Sequence, residues 1–361
     1  MNRFAVTLLA AASACAATLA SVACSNGEAH SAPPATSVTN GNAGAGSSSA
    51  AAPATSAAPA EPGVSASAGA GSAARAPNEL GRIPILEYHL VGDRESRWSR
   101  NYERFRKDLE ILYARGYRPV TVRQVLDKKI DLPKGLSPVV LVFDDASPGQ
   151  FSYIEKNGAL EVDPKSAVGI LLDFNKKHAD WTNSAVFCVL PAAAAGHAFF
   201  GDKGIDGQKT AWRFQKLQFL AKSGFELCNH TLWHANLGKY PDAFVQEQIA
   251  RGELAIDSAV PNYKVRTFAL PLGVWPKNKP LAWGGSWTDP KSGKTKRYSY
   301  ESVLEVAGGP TRSPYDPKFD GHHMSRVELF GGELEKTLDA LDKPGAGARY
   351  VSDGNPATVA R

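Results

Sequence analysis

From residue 81 onward, short apolar runs alternate with segments whose apolar residues recur at helical spacing. The run VVLVF at 139–143 is typical of a strand buried on both faces. Phe105, Leu109 and Leu112 mark one face of a helix over 101–115. The same two patterns predict further strands at 83–88, 184–190, 225–228, 265–270, 300–306 and 325–329, and further helices at 164–178, 209–223, 241–258 and 331–341.

Strands that alternate with helices in this way predict an α/β fold with a parallel sheet and crossover helices. At least six such strands fall between residues 83 and 329, which favours a closed or nearly closed (β/α) barrel. A doubly wound open sheet is the alternative.

The N-terminal segment has a different pattern. A short basic start at 1–3 precedes an uncharged, Ala-rich apolar stretch at 4–23, and Cys24 follows directly. This order predicts a lipoprotein-type signal peptide over 1–24, with acylation of Cys24. A plain secretory signal and an uncleaved membrane anchor are the alternatives. All three place the rest of the chain outside the cytoplasm.

Residues 25–78 consist mainly of Ala, Ser, Gly and Pro and contain no Phe, Trp or Tyr. Such a composition cannot bury enough apolar surface to offset its chain entropy, so we predict a disordered linker. The foldable part is then a single domain over 79–361.

The charge of the whole chain says little about partners. It has 41 basic and 36 acidic residues, for a net charge of +5, and this mild excess gives no reason to expect nucleic-acid binding. Cys188 and Cys228 lie at the ends of predicted strands. Outside the cytoplasm they could pair in a disulfide, and two buried free thiols are the alternative.

Polar residues follow several of the predicted strands, at the end where barrel enzymes carry their functional groups. His89 ends the first strand, Asp144 and Asp145 follow the run VVLVF, and His230 and His234 follow FELC. Because the corresponding ends of barrel strands meet, we expect these side chains to be close together.

His230 and His234 have the i, i+4 spacing at which two imidazoles can share one metal ion. One carboxylate of the pair Asp144 and Asp145 could complete the metal shell while its neighbour accepts a proton. Read separately, the histidines could be structural or surface residues and the aspartates a turn or a helix cap.

Four segments carry a resemblance to a known family. They are VFDDA at 142–146, NHTLWHANL at 229–237, FALPLG at 268–273 and ILEYHLV at 85–91. Together they resemble the motifs of the polysaccharide deacetylases of carbohydrate esterase family 4, over about residues 83–341. The resemblance implies a distorted seven-stranded (β/α) barrel.

The resemblance also implies roles for individual residues. Asp145, His230 and His234 would bind a divalent metal, most simply Zn²⁺, with Co²⁺ or Ni²⁺ as alternatives. Asp144 would be the general base that takes a proton from water. Pro271, Leu272 and Gly273 of the third motif are candidate substrate-binding residues, and Trp275, whose indole suits a sugar ring, is a fourth.

Two departures from the family pattern affect the base and its loop. Ala146 replaces the glycine that usually follows the Asp-Asp pair. Ala269 stands where many members carry an arginine that orients the base, so Asp144 either lacks this partner or is reached by Arg266.

A third departure affects the general acid. The Leu-x-His motif that supplies the acid in many members is missing from the C-terminal segment. His89 is our first candidate for the acid because it ends a barrel strand, and His322 or His323 is the second.

The aromatic and basic residues of 275–297 allow two interpretations. The indoles of Trp275, Trp283 and Trp287 suit sugar rings, but they could equally fill core gaps. The segment DPKSGKTKR at 289–297 predicts a hairpin turn. Its basic residues could meet an anionic glycan or form an ordinary solvated loop.

The sequence therefore predicts a metal-dependent hydrolase that removes N- or O-linked acetyl groups from an envelope or extracellular polysaccharide. We expect it to be a membrane-anchored lipoprotein on the periplasmic side or at the outer membrane, or else to be secreted. The alternatives are a non-catalytic glycan-binding lipoprotein on the same fold and a metal-dependent amidase of a non-carbohydrate substrate.

Overall fold

The computed structural model describes residues 75–193 and 198–360. The predicted signal peptide at 1–24 and nearly all of the predicted linker at 25–78 lie outside these ranges. Within them, no helix combines the length and the hydropathy needed to cross a bilayer.

The order of strands and helices agrees with the alternation predicted from the sequence. The strands are β1 (Ile85–Tyr88), β2 (Leu90–Gly92), β3 (Ser99–Asn101), β4 (Tyr117–Pro119), β5 (Ser137–Phe143), β6 (Tyr153–Lys156), β7 (Ala159–Val162), β8 (Val186–Val189), β9 (Glu226–Asn229), β10 (Thr267–Ala269), β11 (Gly284–Thr288), β12 (Thr295–Ser299), β13 (Ser302–Gly308) and β14 (Met324–Glu328). The helices are α1 (Tyr102–Ala114), α2 (Val122–Leu126), α3 (Ala167–Lys177), α4 (Arg213–Lys222), α5 (Asp242–Ala259) and α6 (Glu333–Leu341).

Seven parallel strands form a closed ring in the order β1, β14, β13, β10, β9, β8, β5. The ring closes because β1 pairs with β14 on one side and with β5 on the other. The short strand β4 adds to β5 outside the ring. The predicted seven-stranded (β/α) barrel is therefore confirmed, and the open sheet is excluded.

Alternate residues of the barrel strands point into the barrel and out towards the helices, as the period of two of a strand requires. Each strand of the ring contributes at least one residue to a compact interior cluster, which includes Ile85, Val142, Cys228 and Met324. The intervening residues, such as Leu86, belong to the larger cluster that packs against the helices.

The first helix shows how local sequence sets the boundaries of an element. Asn101 caps α1, because its side-chain oxygen accepts a hydrogen bond from the backbone N–H of Arg104. The predicted apolar face of this helix is fully buried, and Gly116 follows the helix with a positive φ of 77°.

The structure adds hairpins that the hydrophobic pattern did not predict. The long stretch after the Asp-Asp segment contains the antiparallel pair β6 and β7. These strands carry mostly exposed side chains, so they lack the buried alternation that marks a strand in a sequence. The turn predicted around 289–297 joins the antiparallel strands β11 and β12.

Cys188 and Cys228 form a disulfide inside the barrel. They are directly opposite each other on the neighbouring strands β8 and β9, and both are fully buried. Of the two sequence-based alternatives, the structure therefore has the disulfide rather than two free thiols.

We predict that the double variant Cys188→Ala/Cys228→Ala is less stable than the oxidised protein. The disulfide spans 40 residues of sequence, and restricting the unfolded chain over a loop of this length contributes about 4 kcal/mol. Urea unfolding gives the difference in the free energy of unfolding. The wild-type protein unfolded in dithiothreitol is the control and should match the variant. An unfolding curve that reduction leaves unchanged would contradict the prediction.

Candidate metal centre and active site

A layer of polar side chains covers the C-terminal end of the apolar barrel interior. Its members come two residues after inward-pointing apolar residues, because inward positions alternate along a strand. Glu87 thus follows Ile85 on β1, and Arg326 follows Met324 on β14. In the same way Asp144 follows Val142, and His230 follows Cys228.

The three predicted metal ligands, one of which is His230 of this layer, converge at the same end of the barrel. The Nε2 atoms of His230 and His234 lie 3.4 Å and 3.5 Å from Oδ1 of Asp145. One ligand atom from each of the three residues lies within 4.8 Å of the other two. A carboxylate and two imidazoles are a ligand set that suits zinc and related transition metals.

The chemistry of His230 fits a bound cation. Its Nδ1 lies 2.9 Å from the carbonyl oxygen of Ala269. A carbonyl can only accept, so Nδ1 donates and Nε2 keeps its lone pair for a metal. Nε2 is buried and has no hydrogen-bond partner among the described residues. Ala269, which replaces the usual arginine, thus orients the candidate metal ligand His230 through its backbone.

The loops that carry these ligands contain unusual backbone conformations. Asp145, Thr231 and His234 have φ values of 77°, 66° and 60°, and Ala146 has a φ of 51°. Left-handed backbone is costly for residues other than glycine and persists where surrounding contacts enforce it, often at functional sites. Ala146 has a left-handed backbone conformation, which glycine adopts without strain, and this explains why a glycine is usual at this position.

The charges of the cluster raise and lower the pKa values of its members. Burial alone would raise the pKa of Asp145, but the histidines around it hold that pKa well below its usual range. Burial would lower the pKa of His230, but Asp144 and Asp145 raise it. Burial and the neighbouring His230 lower the pKa of His234 to about 4. His234 is therefore a neutral ligand at pH 7.

The general-base candidate Asp144 is held by Arg326. Nη1 of Arg326 donates a hydrogen bond to Oδ2 of Asp144 at 2.8 Å, and both side chains are almost completely buried. Burial would raise the pKa of Asp144, but this guanidinium and the neighbouring histidines keep it below the usual value. Arg266 does not take this role, because it pairs with Asp127 and Glu301 at the start of β10.

Arg326 also contacts a second buried carboxylate. Its Nη2 lies 2.9 Å from Oε1 of Glu87, and the same oxygen lies 3.4 Å from Nε2 of His89. The ligand atoms of Glu87, His89 and Asp144 are close enough together to suggest a second metal site. The guanidinium already occupies the space between the two carboxylates, however, and would repel a cation. The geometry therefore favours a single metal ion at Asp145, His230 and His234.

The metal ligands open into a pocket of about 430 Å³. His89 lines this pocket, and its ring meets the ring of Trp98 edge to face at a centroid distance of 5.0 Å. Trp98 is 48% exposed. Leu272 also lines the pocket and is 56% exposed. The pocket thus combines polar groups at its base with apolar surfaces at its mouth, which is typical of ligand sites.

Of the four predicted substrate-binding residues, Leu272 is the one that lines the pocket. Pro271, Gly273 and Trp275 lie outside it. Pro271 is buried, and Gly273, with a φ of 63°, packs against Val306. The indole N–H of Trp275 donates to Oε1 of Glu305.

The structure distinguishes between the candidates for the general acid. His89 faces the pocket, whereas Nδ1 of His323 lies 3.0 Å from Glu305 and the ring of His322 stacks on Trp283. Neither His322 nor His323 lines the pocket. The geometry therefore favours His89.

Sequence reasoning missed Glu87, Arg326 and Trp98. Glu87 and Arg326 each interrupt an otherwise apolar inward face of a strand, and a charge in such a position is a usable signal for a functional group. Trp98 follows the polar segment before β3 and no pattern marks it.

Comparison with known proteins finds a family model that matches one segment of the chain. Residues 168–282 match the family model for polysaccharide deacetylase. This segment contains His230, His234 and the segment 268–273, and it begins after Asp144 and Asp145. The predicted resemblance to polysaccharide deacetylases is thus confirmed. None of the curated proteins compared with the chain matches it.

Several solved structures are similar over much of the chain. The Streptococcus pyogenes deacetylase PplD in complex with acetate is 16% identical, with a TM-score of 0.49, over 73% of this chain and 98% of that one. BC0361, a polysaccharide deacetylase from Bacillus cereus, is 16% identical, with a TM-score of 0.49, over 71% and 69%. IcaB from Ammonifex degensii is 17% identical, with a TM-score of 0.47, over 72% and 96%.

We predict that Arg326→Met lowers the free energy of unfolding by about 3–5 kcal/mol at pH 7.5, because the buried carboxylate of Asp144 loses its counter-charge. Glu87 contributes less, because burial already raises its pKa in the wild-type protein. In the variant burial raises the pKa of Asp144 above that of the unfolded chain, so the deficit should shrink as the pH falls towards 5 and Asp144 becomes protonated. Urea unfolding of the variant and the wild-type protein at both pH values measures the difference in their free energies of unfolding.

Two further variants control this experiment. Arg326→Lys keeps a positive charge and should lose less stability than Arg326→Met. Arg266→Met removes an arginine whose partners are partly exposed, so its cost should be about 1 kcal/mol or less. Equal losses for Arg326→Met and Arg266→Met, with no dependence on pH, would contradict the prediction.

Proposed function

We propose that this protein is a metal-dependent deacetylase that removes N- or O-linked acetyl groups from an envelope or extracellular polysaccharide. The observation that carries the proposal is the convergence of Asp145, His230 and His234 beside the buried base candidate Asp144, in an open pocket. A divalent cation held by these three residues would lower the pKa of a water molecule and polarise an acetyl carbonyl.

Asp144 accepts the proton of the attacking water. One of its oxygens, Oδ2, is held by Arg326, whereas Oδ1 is buried without a hydrogen-bond partner among the described residues. The side chain is therefore fixed in orientation while one oxygen stays available to accept a proton. Because Arg326 favours the ionised form, Asp144 is ready to act as a base at neutral pH.

His89 donates a proton to the sugar nitrogen or oxygen that leaves. It lines the pocket beside the base, and its Nε2 lies 3.4 Å from Oε1 of Glu87. Burial lowers the pKa of His89, whereas the carboxylates of Asp144 and Asp145 oppose this and favour the protonated imidazole. Trp98 packs against the His89 ring, restricts its orientation and presents an exposed aromatic surface to a sugar.

The alternative of a non-catalytic glycan-binding protein loses its two main arguments. It was motivated by Ala269 in place of an arginine and by the missing C-terminal histidine. Arg326 reaches the base from another strand, and His89 supplies an imidazole in the pocket. A metal-dependent amidase of a non-carbohydrate substrate would use the same acyl chemistry, so assays on different acetylated compounds must separate the two.

We further propose that the protein is anchored in the envelope through an acylated Cys24, with residues 25–78 as a tether. The support is the order of a basic start, an uncharged apolar stretch and a cysteine in the sequence. Radiolabelled palmitate incorporation that is lost in Cys24→Ala would support this location.

The central test is the release of acetate from acetylated glycans by the purified protein loaded with Zn²⁺ or Co²⁺. We expect Asp144→Asn to reduce kcat by about 10²- to 10⁴-fold, the usual contribution of a general base. His230→Ala should lose both activity and metal, and a chelator should abolish acetate release. His323→Ala, outside the pocket, is the control. Metal and glycan binding without acetate release would favour the binding module.

The role of His89 can be tested through the leaving group. We expect His89→Ala to lower kcat by about 10²-fold or more on an N-acetylated sugar, whose amine must be protonated as it leaves. With 4-nitrophenyl acetate the loss should be much smaller, because nitrophenolate leaves without a proton. Equal losses on both substrates, or full activity on the sugar, would remove His89 as the general acid.

A further inference from the structure

A second cavity lies outside the metal pocket. It is a groove of about 800 Å³ between α5 and the β11–β12 hairpin. Leu232, Leu254 and Trp287 supply apolar surface to the groove. The polar residues that line it include Glu247, Arg251, Lys291 and Lys294.

The hairpin is fixed to α5, so the groove has a defined shape. Nζ of Lys296 lies 2.6 Å from Oε1 of Glu253 and 2.5 Å from Oδ2 of Asp257. The backbone N–H of Ser286 donates to the side chain of Gln246. Two charge-assisted contacts and a hydrogen bond thus hold both strands of the hairpin against one helix.

The groove lies next to the metal-binding loop. Leu232 belongs both to the groove and to the short segment between the ligands His230 and His234. Its backbone N–H donates to the carbonyl of Gln248 on α5, and the N–H of Trp233 donates to the Gln248 side chain. A ligand that fills the groove would therefore contact the same loop that positions the metal.

The chemistry of the groove suits a saccharide chain. The guanidinium of Arg251 lies 5.6 Å from the ring centroid of Trp287, which orients the indole. An indole provides a surface for the C–H face of a sugar ring, and the charged side chains around it can bind hydroxyl or carboxylate groups.

The basic residues at the tip of the hairpin add a preference for negative charge. Lys291 and Lys294 are exposed, and among residues 75–193 and 198–360 neither forms an ion pair, unlike Lys296. Asp289 also lines the groove and attracts Lys291, but the two lysines outnumber it, so positive charge remains for a ligand that carries acidic groups.

We propose that this groove is a saccharide-binding subsite. It holds units of the polysaccharide beyond the unit whose acetyl group reaches the metal centre. The proposal rests on the proposed deacetylase function and narrows it, because an enzyme with such a subsite prefers a long chain to a single acetylated sugar. Lys291 and Lys294 make an acidic chain a better ligand than a neutral one.

The experiment compares a chitin hexamer, a single N-acetylglucosamine and 4-nitrophenyl acetate as substrates of the full-length metal-loaded protein. We expect Trp287→Ala to lower kcat/KM for the hexamer about tenfold, as for the loss of one aromatic contact, and to leave both small substrates unchanged. Trp287→Phe should keep most of the activity on the hexamer. Circular dichroism checks that both variants fold.

Direct binding separates the subsite from the catalytic function. In the Asp144→Asn background, calorimetry should show that Trp287→Ala weakens binding of the hexamer about tenfold. Lys291→Ala/Lys294→Ala should weaken only the binding of acidic peptidoglycan strands, and the difference should disappear at high salt.

The possible outcomes are distinct. If Trp287→Ala weakens glycan binding but no acetate is ever released, the deacetylase proposal fails and the subsite remains. If acetate is released and Trp287→Ala changes neither kcat/KM for the hexamer nor glycan binding, the subsite proposal is overturned.

Discussion

The C-terminal end of this barrel depends on one buried guanidinium. Arg326 is completely buried and contacts two buried acids, Asp144 and Glu87, at the ends of two other strands. It holds the pKa of Asp144 below the usual value, whereas burial raises the pKa of Glu87 even in its presence. Without Arg326, burial would favour the protonated form of Asp144 as well, and Asp144 could not accept a proton at neutral pH. The three side chains meet only because β1 pairs with both β5 and β14, so the closure of the barrel and the charge of the base are linked.

Along the barrel axis, the apolar residues that pack the interior and the polar residues of the candidate site lie in different layers. The inward residues of the lower layer are apolar and include the Cys188–Cys228 disulfide, and the next layer carries the buried charges. The candidate metal ligands Asp145 and His234 follow in the loops. The rigid lower layer fixes the strands, so that charged groups which would destabilise an ordinary core are held at distances where they neutralise one another.

The sequence predicted the strands of the barrel and the cluster of candidate metal ligands because each depends on local pattern. A buried strand followed by two aspartates predicts carboxylates at the C-terminal end of a barrel strand, whichever strands lie next to it. Two histidines four residues apart likewise predict a pair of neighbouring imidazoles. The partner of the base was predicted less well. Arg266 is close to the family motif in sequence, but it precedes β10 and lies at the wrong end of that strand. Arg326 lies 182 residues from Asp144 in the chain, a separation that no local pattern bridges. The exposed β6–β7 hairpin was missed because only buried strands show regular alternation.

The sequence by itself determined the alternation of strands and helices, the residue types of the metal centre and the resemblance to polysaccharide deacetylases, because these follow from spacing along the chain. Only the tertiary structure decided which charges balance one another and which surfaces adjoin the site. It placed Arg326 between Asp144 and Glu87, put Trp98 beside His89 and formed the groove at Trp287. Each of these contacts joins residues from different elements, and closing the barrel is what brings those elements together.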